Sequence, residues 1–600
     1  MKLDRRSAAE AREMILMPQQ VPKKRKPSQS PTARTLPPPA PSAAPGASEA
    51  VAGAGRAGLL RKIEWVLFGL ACAAIVALHV VLFQHMGAFW RDEASSIRVA
   101  RSPTFAALWQ ALVHDSFPAL FDTLLKLWIA SGIGKSETGL RLFGTLVSLG
   151  VIVAVPLACR RLSGLRDAGA PLLALSLSVF NVSVFYDGSS IRAYGLASML
   201  IVLCLAAFWR LVENPNPRTA AVALLLSLLS VHSNYQNMYL LLGIGLAGAA
   251  TCMSCKLWKR SLLVLGLCFV TALSMLIYLP IIKAYQASTG FGTGALVLPM
   301  DVLLRKMVQS LVGDSLGLLL LWGLLLPLAV ATLSVRWFTQ WRSGAGRSKP
   351  SLEVFCLIAL IVGSGAGAVF FEHNGNLPHP WHFVPFIVFA AVILEAGLRT
   401  TRDSVWPASA KVAVACLILA LSLPQLWETS HLRRTNMDLV IQTAVRQAEL
   451  GDLIVVNPFW MVGSFCHYYH GEPDWITIPA FPHEELYRNE GGGPIAKLMR
   501  TPHALEPTKQ RIARTLSAGK RLWIVGWIRF VEPGRQPPAI DAAPNPQSGT
   551  STEDYSDIWT LETGYFLQQH ARQATQIPVP VGQPVNGYEN LTLIEIDGWR

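Results

Sequence analysis

A chain of 600 residues of which 52% are hydrophobic and only 15% charged, with a mean hydropathy of +0.37, is too apolar for a soluble globular protein and has the composition of a polytopic membrane protein. The net charge of +14 is no nucleic-acid footprint, because much of it gathers in one tail beside a membrane span, where basic runs touch anionic lipid.

That tail is residues 1–62, rich in Pro, Ala and Ser and carrying Lys23-Lys24-Arg25-Lys26. Its composition cannot build a core, so it reads as a disordered cytoplasmic leader. A helix needs about 20 residues to cross hydrocarbon. Runs of that kind lie near 64–88, 139–158, 169–186, 191–210, 219–236, 238–255, 261–283, 311–335, 352–371, 381–398 and 409–426. The first is too long for a signal-peptide core and lacks a cleavage site, so it is an anchor. Short basic clusters (Arg160 and Arg161, Arg210 and Arg218, Lys256 to Arg260, Arg336 and Arg342, Lys411) fall on one side of this pattern. The positive-inside rule makes that side cytoplasmic. Three regions follow: the leader 1–62, a membrane domain 63–427, and an external domain 428–600.

The nine cysteines are scattered. Cys72, Cys204, Cys268, Cys356 and Cys416 read as small apolar fillers; Cys252 and Cys255 have metal or redox spacing but no second ligand pair nearby, so no metal role is expected of them.

Between the first two spans lies a long external loop, 89–138. Its start, Phe89-Trp90-Arg91-Asp92-Glu93-Ala94, sets two carboxylates where hydrocarbon gives way to water, with Trp90 at the interface. Acids at that depth are costly and mark sites, although a helix-end cap would use the same residues. Ser102 to Leu112 and Pro118 to Trp128 have helical apolar spacing and predict two amphipathic helices in the outer interface, with Asp115 between them.

These residues carry a family resemblance. Phe89 to Ala94, then Asp115-Ser116-Phe117-Pro118-Ala119-Leu120-Phe121, Leu124 to Trp128 and Ser136 to Leu142, resemble the opening of the GT-C membrane glycosyltransferases. The likeness is to the protein O-mannosyltransferase, lipid A aminoarabinose transferase and lipopolysaccharide galacturonosyltransferase group. Phe185 to Leu196, Val231 to Tyr235 and His379 to Pro385 resemble later segments of the same pattern. The chain departs from it at Phe117, where His is usual, and at Ala119, where a second Pro is usual; His114 stands three residues from the vacant position. The resemblance implies a polytopic α-helical membrane protein of GT-C type with a C-terminal periplasmic α/β domain. It implies transfer of a sugar from a polyprenyl phosphate to lipopolysaccharide, lipid A or another cell-envelope glycan, at the periplasmic face of a bacterial inner membrane.

The residues make chemical sense of that expectation. A lipid phosphate is a good leaving group, so the protein must supply a base for the acceptor proton and cations for the phosphate. Asp92 fits the base; Glu93 is the second catalytic candidate, orienting the loop or touching substrate. Arg192 and Tyr194, with Lys283, are outer-end candidates for the phosphate, because outer cations run against the topological charge bias. Arg305 and Lys306 are also placed for snorkelling to headgroups. Asp115 and Asp187 are candidates to bind the sugar or to share a divalent cation with Asp92, although no ligand spacing demands a metal. His232 and His382 complete the substrate-binding set. A lipid-linked glycan transporter would instead predict internal repeats and polar residues at mid-span. A silent scaffold of the same fold is a third reading, kept open by Phe117.

Beyond the last span, Asn436 to Leu450 predicts a helix, Gly451 to Asn457 a buried strand, Phe459 to His470 a helix, Ile512 to Gly526 helix then strand, and Tyr588 to Ile596 a terminal strand. Such alternation predicts a small α/β domain, either acceptor-binding or structural.

Overall fold

The computed structural model describes residues 47–600 apart from 116, 164–168, 290–298, 344–348, 374–377, 399–404, 482–492, 539–541 and 543–551. The chain falls into two units, Met1–Ala52 and Gly53–Arg600. The basic run at residues 23–26 lies outside the described residues. Both the membrane helices and the sheet belong to the second unit.

Its first part is helical throughout: α1 (Ala47–His85), α2 (Arg91–Ala100), α3 (Phe105–Ala111), α4 (Ala119–Ala130), α5 (Glu137–Ser163), α6 (Leu172–Ser178), α7 (Val182–Gly188), α8 (Tyr194–Glu213) and α9 (Pro217–Ser233). It continues through α10 (Asn237–Ser254), α11 (Trp258–Ser274), α12 (Leu279–Thr289), α13 (Met300–Val312), α14 (Leu316–Arg342), α15 (Leu352–His373), α16 (Val384–Gly397) and α17 (Val405–Ser430).

Among the described residues nine helical stretches are long and apolar enough to cross a membrane, from Gly58–His85 to Ala408–Ser430. Two of the eleven expected spans are not among them. The run at 169–186 is broken into α6 and α7, because Asn181 turns its side chain back to accept the Val184 N–H at 3.0 Å and so starts a new helix. The run at 219–236 is α9, a shorter apolar helix that ends at Ser233. Leu157, Leu225, Phe269 and Leu320 stand exposed on the helix surfaces, as lipid-facing residues do where the solvent is hydrocarbon. Where α10 meets α15 the backbones nearly touch: a Cβ on Gly243 would sit 2.6 Å from the Ala359 carbonyl oxygen, so only glycine fits.

The second part carries α18 (Met437–Gln447), α19 (Val462–Tyr468) and a five-stranded sheet of order β2-β1-β3-β5-β4. Here β1 is Leu453–Asn457, β2 Asp474–Thr477, β3 Leu522–Gly526, β4 Ala571–Ile577 and β5 Thr592–Trp599. β1 runs parallel to β2 and β3, with Leu453 opposite Asp474 and Leu522; β5 is antiparallel to both β3 and β4. All five residues of β1 and of β3 are buried, which fits central parallel strands covered on both faces. The Gly-Asp step before β1 has a local cause. Gly451 adopts φ +93°, and Asp452 accepts N–H bonds from Glu449, Arg521 and the Trp523 indole at 2.9, 2.9 and 3.0 Å. Burial would raise this carboxyl, but those bonds and Arg521 hold it below its ordinary value.

The terminal strand begins at Thr592, four residues later than expected. Residues 583–591 instead lie against the membrane helices: Gln583 donates to the His85 carbonyl at 2.7 Å, the Arg91 N–H to Glu589 at 3.0 Å, and Asn586 to the Tyr186 hydroxyl at 3.2 Å. Arg434 N–H donates to the Met86 carbonyl at 2.7 Å and Phe89 N–H to the Tyr468 hydroxyl at 2.8 Å. The α/β domain therefore sits on the end of the bundle that bears Asp92.

Candidate functional site

The site is built around α2, which follows α1 after a turn through Gly87 at φ +66° and packs against α4 and α19. Its two acids have separate fates. Glu93 is 2% exposed and accepts the Ile191 N–H at 2.9 Å and the Trp90 N–H at 3.4 Å. It is also ion-paired with Arg434 at 3.4 Å. Arg434 donates to the Tyr186 carbonyl at 2.6 Å and the Ser189 hydroxyl at 3.2 Å, and lies over the Tyr186 ring. Glu93 thus joins α2, the turn before α8 and the α/β domain.

Behind α2 lies a buried ionic cluster. One guanidinium nitrogen of Arg192 lies 3.2 Å from Asp115 and donates to the Ser96 hydroxyl at 2.9 Å and the Asp92 carbonyl at 3.2 Å. Its guanidinium carbon sits 4.5 Å from the centre of the Phe117 ring, which meets Tyr194 edge-on at 5.2 Å. Phe117 is thus a shelf for the cation. Asp122, on α4, joins this cluster fully buried, and neither of its oxygens has a hydrogen-bond partner among the described residues. Burial, reinforced by the negative charge of Asp115 and only partly offset by Arg192, pushes its carboxyl well above the usual range.

Asp92 faces the other way. Its side chain is 26% exposed and lies 3.3 Å from the Arg91 guanidinium, itself 30% exposed. Near it stands the 3₁₀ turn Pro380–Phe383, which contains His382 and is preceded by His379. His382 accepts the His379 N–H at 2.9 Å, and His379 stacks on Trp381 with ring centres 4.4 Å apart. Burial, with the charges of Arg91 and Lys306, depresses His379 to about 4, so it is a neutral imidazole. Trp381 meets Trp90 edge-on at 5.2 Å and Tyr588 at 5.2 Å.

Solved structures resemble the chain. The crystal structure of ArnT from Cupriavidus metallidurans bound to undecaprenyl phosphate is 14% identical over 77% of this chain and 92% of that one, with a TM-score of 0.44. The same protein in the apo state gives 0.47 at the same identity and coverage. The Archaeoglobus fulgidus oligosaccharyltransferase in complex with Zn and sulfate is 10% identical over 75% of this chain and 67% of that one, with a TM-score of 0.39. No family model matches the chain, and no curated protein matches it.

The remaining expected residues are distributed around this centre. His232 spends both ring nitrogens, on the Tyr278 hydroxyl at 2.9 Å and the Ser274 hydroxyl at 3.0 Å; the Tyr278 hydroxyl also takes the Ala119 N–H that opens α4. Lys283 is exposed, and Arg305 is exposed and paired with Asp301. Asp187 lines a separate cavity with Trp90, Trp381, Arg434 and Tyr588. The side chain of His114 lies outside the described residues. Among the described residues no group of three or more His, Cys, Asp or Glu could hold a metal ion; Asp115, a candidate to share a cation with Asp92, is engaged by Arg192 and Ser96. Sequence reasoning missed Asp122, Glu589 and the half-buried cation Arg91. Only Arg91 had a local signal, its place beside the acid pair.

Proposed function

We propose that the chain is a GT-C-type glycosyltransferase that moves a sugar from a polyprenyl phosphate to an acceptor hydroxyl of a cell-envelope glycan or glycolipid, at the periplasmic face of a bacterial inner membrane, with Asp92 as the base. One observation carries the reading. Of the carboxylates around α2, Glu93, Asp115, Asp122 and Glu589 are buried and Asp92 alone is partly exposed at the mouth. Within the cluster a single acid is in reach of a substrate.

Asp92 takes the proton as the acceptor oxygen attacks the anomeric carbon. The bond from that carbon to the phosphate oxygen breaks, and the polyprenyl phosphate leaves with the electron pair. A glycosidase needs two cooperating carboxylates; this transfer needs one base and a cation near the leaving oxygen. Arg91, half-buried beside Asp92, and Lys306, near His379, are better placed for that cation role than Arg192. Arg192 acts through the backbone of Asp92 and through Ser96. The resemblance across residues 89–142 supports the choice of donor.

The test compares lipopolysaccharide and surface glycans, by mass spectrometry, from cells carrying the wild type, a deletion and Asp92→Asn. Deletion removes one sugar, and Asp92→Asn fails to restore it, with a loss of about 10²–10⁴-fold in rate as expected for a general base. Full restoration by Asp92→Asn refutes the base, and an unchanged glycan profile on deletion refutes the transferase.

A further inference from the structure

Where the α/β domain meets the bundle there is a cavity of 180 Å³ that the mechanism above leaves unused. About six liquid waters would fill that space, as would about one pyranose ring with its hydroxyls. Trp90, Trp381 and Tyr588 form one wall, in edge contact along the row. Asp187, Asn586 and Arg434 also line it. Asn586 is fixed by the Tyr186 hydroxyl and by the Tyr588 N–H.

We propose that this cavity binds the ring of an uncharged pyranose, with Tyr588 and Trp381 against its apolar face and Asp187 holding its hydroxyls. The match is one of shape and chemistry. A sugar ring offers a C–H face and a rim of hydroxyls, and a site with an aromatic wall and a few placed polar groups complements both. Other ligands fit worse. A polyprenyl chain is too long and too apolar for a cavity with this lining. An anion gains little from Arg434, whose charge is already met by Glu93, while Asp314 on the lining repels it. A uronate is therefore disfavoured. Asp187 serves as acceptor or donor near neutrality, because burial raises it to about 7 against the pull of Arg434.

Trp90 lines this cavity and stands two residues before Asp92 in the chain. The assignment of the ring as substrate rests on the transferase reading, whereas its binding is measured independently. Full-length protein in detergent is titrated with methyl β-glucopyranoside, methyl β-galactopyranoside, methyl α-mannopyranoside and methyl α-galacturonate, followed by saturation-transfer NMR. At least one neutral glycoside binds and the uronate binds more weakly than it. Tyr588→Ala and Asp187→Asn each weaken binding at least about threefold, while Tyr588→Phe, which keeps the ring, restores it and controls for folding. Absence of binding by all neutral glycosides, or wild-type binding by both Tyr588→Ala and Asp187→Asn, overturns the cavity assignment. Transfer by Asp92→Asn in cells would instead overturn the base and leave this assignment standing.

Discussion

Arg192 is held buried by four neighbours of three kinds. Asp115 supplies the counter-charge, Ser96 and the Asp92 carbonyl accept its N–H groups, and Phe117 gives it a π face. Removing a buried partner leaves the other charge unpaid, a loss of about 3–5 kcal/mol. Arg192→Met should therefore lower the thermal midpoint of the detergent-solubilised protein sharply. Phe117→Leu removes only the π face, about 1–2 kcal/mol for a desolvated cation, and should give a smaller drop. Equal effects from the two would show that Phe117 is filler. Asp92, Glu93, Arg192 and Tyr194 stand out in the chain because a charge or tyrosine at a span end is anomalous where it stands, and Asp115 because it lies between the two helices of the loop. Asp122 does not. On α4 it looks like the polar side of an amphipathic helix, and only in the folded bundle, where α2 and α9 pack against that helix, is it buried near Asp115.

Spans were legible as elements because hydropathy over about 20 residues is a strong signal. Their interruptions were not, because one asparagine side chain decides where α6 stops and α7 starts. The same limit applies to Lys411. It belonged by pattern to the cytoplasmic basic clusters, yet its ammonium is buried between Glu64 at 2.7 Å and Glu395 at 2.5 Å and donates to the Ala170 carbonyl at 3.0 Å. Glu395 in turn accepts the Ala174 N–H at 3.0 Å. The lysine of α17 thus ties α1 to α16 and to the start of α6. Charges inside a membrane protein are retained only when paired, so Lys411→Met strands two carboxylates in a dry site. Its folded yield from membranes should fall severalfold, and adding Glu395→Gln, which still accepts the Ala174 N–H, should recover part of it. A double variant no better than Lys411→Met would mean the triad is not the tie.

The α/β domain reports on the bundle through titratable groups at their junction. Burial raises Glu589 to about 7, although the Arg91 N–H and guanidinium pull it down; nearby Asp92 pushes it further up. Asp187 is raised to about 7 by burial, with Arg434 opposing and Glu93 reinforcing. A raised carboxyl binds its proton more tightly folded than unfolded, so its stabilising effect is present at acid pH and is lost as pH rises from about 4 through 7. His379 and His467, both depressed to about 4 by burial and nearby cations, act with the opposite sign. They cost stability as pH falls from 6.5 towards 4, because only the unfolded chain takes up the proton. The two effects oppose each other while the unfolded histidines are still taking up protons, but above about pH 7 the carboxyls dominate. The thermal midpoint should therefore decline between about pH 7 and pH 8, with hydrogen exchange rising first in α2 and in residues 583–591. Glu589→Gln combined with Asp187→Asn removes both titrations and should flatten that decline. If the decline persists unchanged in the double variant, the junction is held by its neutral contacts, such as Asn586 on Tyr186, and not by these protons.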